Sequence, residues 1–115
     1  MSIDLLGISF DAHNAAELAH FWADALYRTV ADSATEQSAS IPADEHGPLL
    51  MFHQVPEGKS VKNRVHLDLR AVDVPAEADR LVGLGARQVR SLADNGGGWI
   101  GFVDPEGNEF DLVAG

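Results

Sequence analysis

The strongest constraint in this sequence is that one order of elements is written twice. Ile3 to Phe10 is an apolar-rich run short enough for a strand. Asn14 then opens a helix as its N-cap, with Glu17 three residues on as in a capping box. Ala15, Leu18, Ala19, Trp22, Ala25 and Leu26 recur at three- and four-residue spacing, the mark of one buried helical face, so a helix is predicted at about Asn14–Tyr27. The polar stretch that follows is assigned two short strands, Thr29–Ser33 and Ser38–Pro42. Asp44-Glu45-His46-Gly47-Pro48 then reads as a turn and Leu49–Val55 as a strand.

After Pro56-Glu57-Gly58-Lys59-Ser60, which reads as a linker, the order begins again. Arg64–Ala71 alternates in polarity like a strand, and Asp73 caps a second helix at about Pro75–Leu84. Val74, Ala78, Leu81 and Val82 form its apolar stripe, and Gly85 supplies a left-handed stop. Arg87–Leu92 and Trp99–Val103 are expected to be strands joined by a flexible hairpin, Asp94-Asn95-Gly96-Gly97-Gly98. Asp104-Pro105-Glu106-Gly107 is a tight turn before the last strand, Glu109–Val113. A shift of 59 residues lays Gly7 on His66, Ile8 on Leu67, Phe10 on Leu69 and the cap Asn14 on the cap Asp73. Each half is strand, helix, three strands: a single α+β domain over residues 1–115, with module one at about 1–56 and module two at about 62–115.

Composition bounds the partners. The 115 residues are 45% hydrophobic, enough for a core, and no run is long and apolar enough for a membrane span. Eighteen acidic against eight basic residues give a net charge of −10, which repels a nucleic-acid backbone; it would draw in a cationic ligand, and the plainer reading is that it serves solubility. There is no cysteine and hence no disulfide or thiolate chemistry. The start, Met1-Ser2-Ile3-Asp4, lacks the basic region of a secretory signal, so a cytoplasmic protein is expected.

Three segments carry a resemblance. Lys62-Asn63-Arg64-Val65-His66-Leu67-Asp68-Leu69, then Leu81-Val82-Gly83-Leu84-Gly85-Ala86, then Asp104-Pro105-Glu106-Gly107-Asn108-Glu109-Phe110 resemble the glyoxalase-like branch of the vicinal oxygen chelate superfamily (glyoxalase, bleomycin resistance, dioxygenase). The likeness runs over nearly the whole chain, includes Phe21-Trp22, and is weakest from Arg28 to Ala43. It implies two βαβββ modules whose eight strands form an open cup. Members range from lyases, isomerases and dioxygenases to metal-free drug-binding proteins, so the fold leaves function to the site.

Side chains alternate along a strand, so polarity assigns faces. Val65, Leu67 and Leu69 are expected to meet a helix, as are Leu6, Ile8 and Phe10, Leu50 and Phe52, and Phe110 and Leu112. Arg64, His66, Asp68 and Arg70 then face the cup, with Met51, His53, Val55, Glu109, Asp111 and Val113. The resemblance implies metal ligands on the first, fourth, fifth and eighth strands, and those slots hold Gly7, His53, His66 and Asp111. Three of them can bind one divalent ion (Zn, Ni, Fe or Mn). A one-residue slip of the fourth strand would put Gln54 in the slot of His53. Asp68 is the nearest catalytic base, or Asp111 where it does not bind metal. Met51, Arg64, Arg70 and Trp99 are assigned to substrate, with Met51 and Trp99 as an apolar wall. The plainer alternative makes these residues polar wall and packing, with His66 hydrogen-bonded to Asp68 or Arg64 and Asp111 paired with Arg64 or Arg70. His13, His20 and His46 read as surface residues.

Two functions follow as expectations. One is a metal-dependent lyase, isomerase or dioxygenase acting on a small oxygen-rich substrate. The other is a metal-free protein that binds or sequesters a small molecule, as bleomycin-resistance members do. A third possibility is an accessory domain without chemistry of its own. Edge strands of an open cup need cover, and the superfamily commonly pairs modules across chains, so a homodimer is expected.

Overall fold

A computed structural model describes residues 2–92 and 98–115, and it divides the chain into two compact units, Met1–Gly58 and Lys59–Gly115. The fold class is α+β, with two helices and seven strands among the described residues.

The first unit contains β1 (Gly7–Ala12), α1 (Ala15–Ala25), β2 (Ser38–Ile41) and β3 (Leu49–Gln54), in the sheet order β1-β3-β2. β1 runs parallel to β3, with Ser9 opposite Met51 and Phe10 opposite Phe52, and β2 is antiparallel to β3. Asn14 caps α1 by accepting the Glu17 N–H at 3.1 Å. The helical stripe buries Leu18 and Trp22 with Ile41, Leu50 and Phe52. Phe10 stacks on Phe52 with ring centroids 4.9 Å apart.

The second unit contains β4 (Leu67–Ala71), α2 (Val74–Leu84), β5 (Arg87–Leu92), β6 (Trp99–Val103) and β7 (Glu109–Ala114), in the order β4-β7-β6-β5. β4 is parallel to β7, and the other pairs are antiparallel. The Asp73 carboxylate caps α2 by accepting the Ala76 N–H. Gly85, at φ 121°, donates its N–H back to the last turn. Phe102, Phe110, Leu112 and Leu81 are buried, and the two Phe rings stack at 5.4 Å.

The Asp-Pro-x-Gly-Asn turn sets the register of this sheet. Asp104 is buried, and its Oδ1 accepts the N–H groups of Glu106 and Asn108 at 2.9 and 3.0 Å. Gly107 takes φ 91°, where a side chain would be strained. β7 therefore leaves the turn with Glu109 opposite Val103 and Asp111 opposite Gly101.

Four expectations need correction. Thr29–Ser33 is not a strand. Thr35 Oγ1 accepts the N–H groups of Gln37 and Ser38, a local bonding that competes with a ladder, and the buried Arg28 guanidinium donates at 2.7 Å to the carbonyls of Pro42 and Pro48. The first strand starts at Gly7, not Ile3, so Leu6 lies ahead of it and is 74% exposed rather than core. Its counterpart in the second unit starts at Leu67, not Arg64, and Val65 is 77% exposed. The Asn63 N–H donates to the distant Glu109 Oε2 at 2.8 Å and its side-chain amide donates to the Val65 carbonyl, which bends the segment away from a ladder. Val82 is half exposed, so the α2 stripe rests on Ala78 and Leu81. Of the expected glycine-rich hairpin, residues 94–97 lie outside the described residues.

Candidate metal and substrate site

On β4 and β7 the parallel register places Asp68 opposite Asp111. Residues paired in a parallel ladder point to the same face, and His66, two positions before Asp68, shares it. The Leu67 and Leu69 side chains go to the other face, with Phe110 and Leu112. The alternation thus delivers one imidazole and two carboxylates to a single polar face.

His66 Nδ1 lies 2.9 Å from Asp68 Oδ1 and 3.7 Å from Asp111 Oδ2. One ligand atom from each of the three side chains falls within 4.8 Å of the others. Exposure is graded, with the Asp68 side chain 59% exposed, His66 41% and Asp111 21%, so the group is open to a ligand on one side and anchored on the other. Imidazole nitrogen and carboxylate oxygen are the donors that Zn²⁺, Mn²⁺, Fe²⁺ and Ni²⁺ accept, and three donors leave coordination positions for water or substrate oxygens. These residues fit a divalent metal.

A cavity of about 280 Å³ adjoins this group and shares Asp111 with it; Lys62, Arg90, Gly101, Val103 and Glu109 also line it. Glu109 is already engaged: its carboxylate meets Lys59 Nζ at 3.1 Å and Lys62 Nζ at 3.9 Å and accepts the Asn63 N–H. The Asn63 N–H above all, and then the Lys59 ammonium, hold the Glu109 carboxyl below its ordinary pKa. The Arg90 guanidinium lies over the Trp99 ring, 5.1 Å from its centroid.

The sequence-predicted residues divide as follows. His66, Asp68 and Asp111 come together. His66 hydrogen-bonds Asp68 and lies 3.7 Å from Asp111, and among the described residues Asp111 forms no ion pair with Arg64 or Arg70. Trp99 lies on β6 opposite Val113, and Arg70 lies opposite that same Val113 on β4. Arg64 is exposed ahead of β4. Met51 and His53 belong to β3 of the first unit, with Met51 half-buried and His53 exposed. By register, Ser9–Met51 in the first unit matches Asp68–Asp111 in the second, so Met51 rather than His53 is the structural counterpart of Asp111.

Gly7, the empty slot of the resemblance, is packed tightly: a Cβ there would sit 2.5 Å from the Leu49 carbonyl oxygen. Two residues were not found by sequence reasoning, Arg90 and Gly101. The register shift between Gln88 and Arg90 breaks the alternation that would have assigned Arg90 a face.

Comparison with known proteins agrees with this architecture. A profile of the glyoxalase-like domain matches residues 7–113. Among solved structures, a glyoxalase/bleomycin resistance protein/dioxygenase family enzyme from Burkholderia phytofirmans PsJN aligns with a TM-score of 0.78 at 13% identity, over 97% of this chain and 98% of that one. A fosfomycin resistance protein from Listeria monocytogenes, solved with manganese(II) and a dihydroxypropylphosphonic acid, aligns with a TM-score of 0.78 at 16% identity, over 100% and 92%. Lactoylglutathione lyase from Agrobacterium tumefaciens aligns with a TM-score of 0.66 at 16% identity, over 97% and 93%. No curated protein matches the sequence. At these identities the structural likenesses establish the fold, that of glyoxalase and bleomycin-resistance proteins.

Proposed function

The chain belongs to the glyoxalase-like domain family, and from that premise we propose that it is a divalent-metal-dependent enzyme of the lyase, isomerase or dioxygenase kind, acting on a small oxygen-rich substrate. The observation that carries this reading is the convergence of His66, Asp68 and Asp111 within 4.8 Å on one face of the second unit. Manganese in the structurally similar fosfomycin resistance protein supports it. His66 and Asp111 would hold the ion. A metal bound there supplies Lewis-acid polarisation of vicinal substrate oxygens. Asp68, the most exposed of the three, orients the His66 ring through the 2.9 Å contact and accepts a proton on its other oxygen.

The test is metal uptake. Wild-type protein exposed to Mn²⁺, Zn²⁺, Ni²⁺ and Fe²⁺ and then desalted should retain one ion per chain. His66→Ala and Asp111→Asn should retain none, and His13→Ala should match wild type. His53→Ala asks separately whether the first unit contributes the further ligand implied by the resemblance. Full retention by His66→Ala would refute the assignment.

A second reading, a metal-free small-molecule binding protein of the bleomycin-resistance type, is favoured by the Trp99 ring, which lies against Arg90, a residue that lines the cavity. Its signature is no retained metal together with quenching of Trp99 fluorescence by an aromatic or cationic compound. We further propose a homodimer. Ile3, Leu5 and Leu6 precede β1, and Val61 and Val65 precede β4, all exposed apolar residues at matching places in the two units. Light scattering should give about twice the 12.3 kDa of one chain. Among the described residues no helix is long and apolar enough to cross a membrane.

A further inference from the structure

Arg90 reaches the candidate site by an unusual path. It pairs with Gly101 across β5 and β6, and Gly101 pairs with Asp111 across β6 and β7. A Cβ on Gly101 would lie 3.0 Å from Arg90 Cγ, 3.3 Å from Arg90 Nε and 3.5 Å from Asp111 Oδ1. The missing side chain is therefore what lets the arginine lie across the strand toward the carboxylate. Trp99 backs the guanidinium from one side. A guanidinium that lies over a ring still has N–H groups to offer, and its planar fork matches the two oxygens of a carboxylate or phosphate group.

The other charges of the cavity are accounted for. Lys62 faces Glu109, which Lys59 also engages, whereas Arg90 forms no ion pair among the described residues. Asp111 belongs both to this cavity and to the three-donor group. A ligand anchored on Arg90 thus has its neighbouring atoms beside His66, Asp68 and Asp111.

We propose that Arg90, braced by Trp99 and admitted by Gly101, is the specificity-determining residue of this site and receives an oxyanion, carboxylate or phosphate-like, of a small substrate whose adjacent oxygens reach the His66/Asp68/Asp111 group. This deepens the metal-dependent reading and rests on it for the second half of the statement. The selection runs against the overall charge of −10, which by itself favours cations. Local geometry outweighs net charge here because charges beyond about 10 Å are screened at physiological salt.

The test is calorimetric titration with glycolate, hydroxymethylphosphonate and the uncharged glycolamide, first on metal-free protein and then with Mn²⁺ present. Wild type should bind at least one of the two anions. Arg90→Gln should weaken that binding by about tenfold, the scale of one charged hydrogen bond, while glycolamide binding and Mn²⁺ retention stay unchanged. Arg90→Lys should recover part of the affinity, since it restores charge without the planar fork. Dependence with glycolate alone assigns a carboxylate, and with hydroxymethylphosphonate alone a phosphate-like group. Anion binding by Arg90→Gln within about twofold of wild type, an equal loss with glycolamide, or no anion binding by wild type would each overturn the proposal. Failure to retain Mn²⁺ refutes the metal reading instead, because the metal-free titrations judge Arg90 separately.

Discussion

Two glycine-to-alanine substitutions should move stability in opposite directions. Gly7 opens β1 and Gly83 lies within α2. Neither has a left-handed backbone, so conformational need does not explain either glycine. A Cβ at Gly83 meets nothing within 4 Å, so alanine there gains the helix propensity of about 0.8–1 kcal/mol. A Cβ at Gly7 falls 2.5 Å from the Leu49 carbonyl oxygen and 3.0 Å from the Leu49 Cβ. The closer obstacle is backbone in the paired strand and cannot swing aside. Overpacking costs about 1–3 kcal/mol, against about 0.4–1 kcal/mol gained from a stiffer unfolded chain, so the net loss is about 1–2 kcal/mol. With a urea m-value of about 1–3 kcal/mol/M, the Gly83→Ala midpoint should rise by about 0.5 M and the Gly7→Ala midpoint fall by about 0.5–1 M. Urea unfolding followed by far-ultraviolet circular dichroism reads both. Gly7→His, which fills the slot that the resemblance leaves empty, should lose stability without gaining metal. A Gly7→Ala protein as stable as wild type, or a Gly7→His protein with greater metal uptake at unchanged stability, would refute the β1–β3 register.

Substitutions at three further positions probe the second unit. Phe102→Ala removes a fully buried ring stacked on Phe110 and should cost about 3–5 kcal/mol, read as the loss of urea midpoint. Asp104→Ala leaves the Glu106 and Asn108 N–H groups without their acceptor and should cost about 1–3 kcal/mol. Asp104→Asn, which keeps an acceptor oxygen, should cost less. Because the folded-state pKa of Glu109 is lowered, its contribution is present above the unfolded value near 4.5 and is lost as pH falls through the folded value. Glu109→Gln should therefore be less stable than wild type near neutral pH and lose less on acidification, measured as urea midpoints at about pH 7 and about pH 4.

The parts of this molecule legible from sequence are those where one local rule decides. Asn14 and Asp73 cap because their side chains reach the N–H three residues on, and the stripes from Leu18 to Trp22 and from Ala78 to Leu81 bury as a 3.6-residue period requires. The alternation His66, Leu67, Asp68, Leu69 put two of the three donors on one face, and the Asp104–Asn108 turn carried Asp111 to it. What was not legible depends on pairing between distant residues. The Asn63–Glu109 bond decides where β4 starts and leaves Val65 outside, and Arg28 bonds to carbonyls beyond β2, in a stretch whose sequence alone suggested a strand. Arg90 escaped because the register shift after Gln88 cancels alternation at that point.

The two registers also explain why the chemistry gathers in one unit. Ser9 faces Met51 as Asp68 faces Asp111, and Gly7 precedes Ser9 by the same two residues that separate His66 from Asp68. The first-unit counterparts of the donor group are thus a glycine, a serine and a methionine, which offer no strong ligand for a hard or borderline divalent ion. A symmetric pair of half-sites, each giving two ligands, is the pattern the resemblance implies, and the packing of Gly7 against Leu49 closes the simplest way back to it. In the second unit Asp68, a residue the resemblance does not count among the ligands, stands 2.9 Å from His66, so three side chains that could donate to an ion gather there. A catalytic metal needs positions left open for substrate oxygens, and a full set of four protein ligands is not a requirement. The lost first-unit ligand at Gly7 is therefore no argument against an enzyme, and Asp68→Asn is the variant that separates a three-donor site from a two-donor one. Asp68 acting as a base outside the coordination shell should leave Mn²⁺ retention intact and change only turnover, whereas a measurable loss of retention would make it the third ligand.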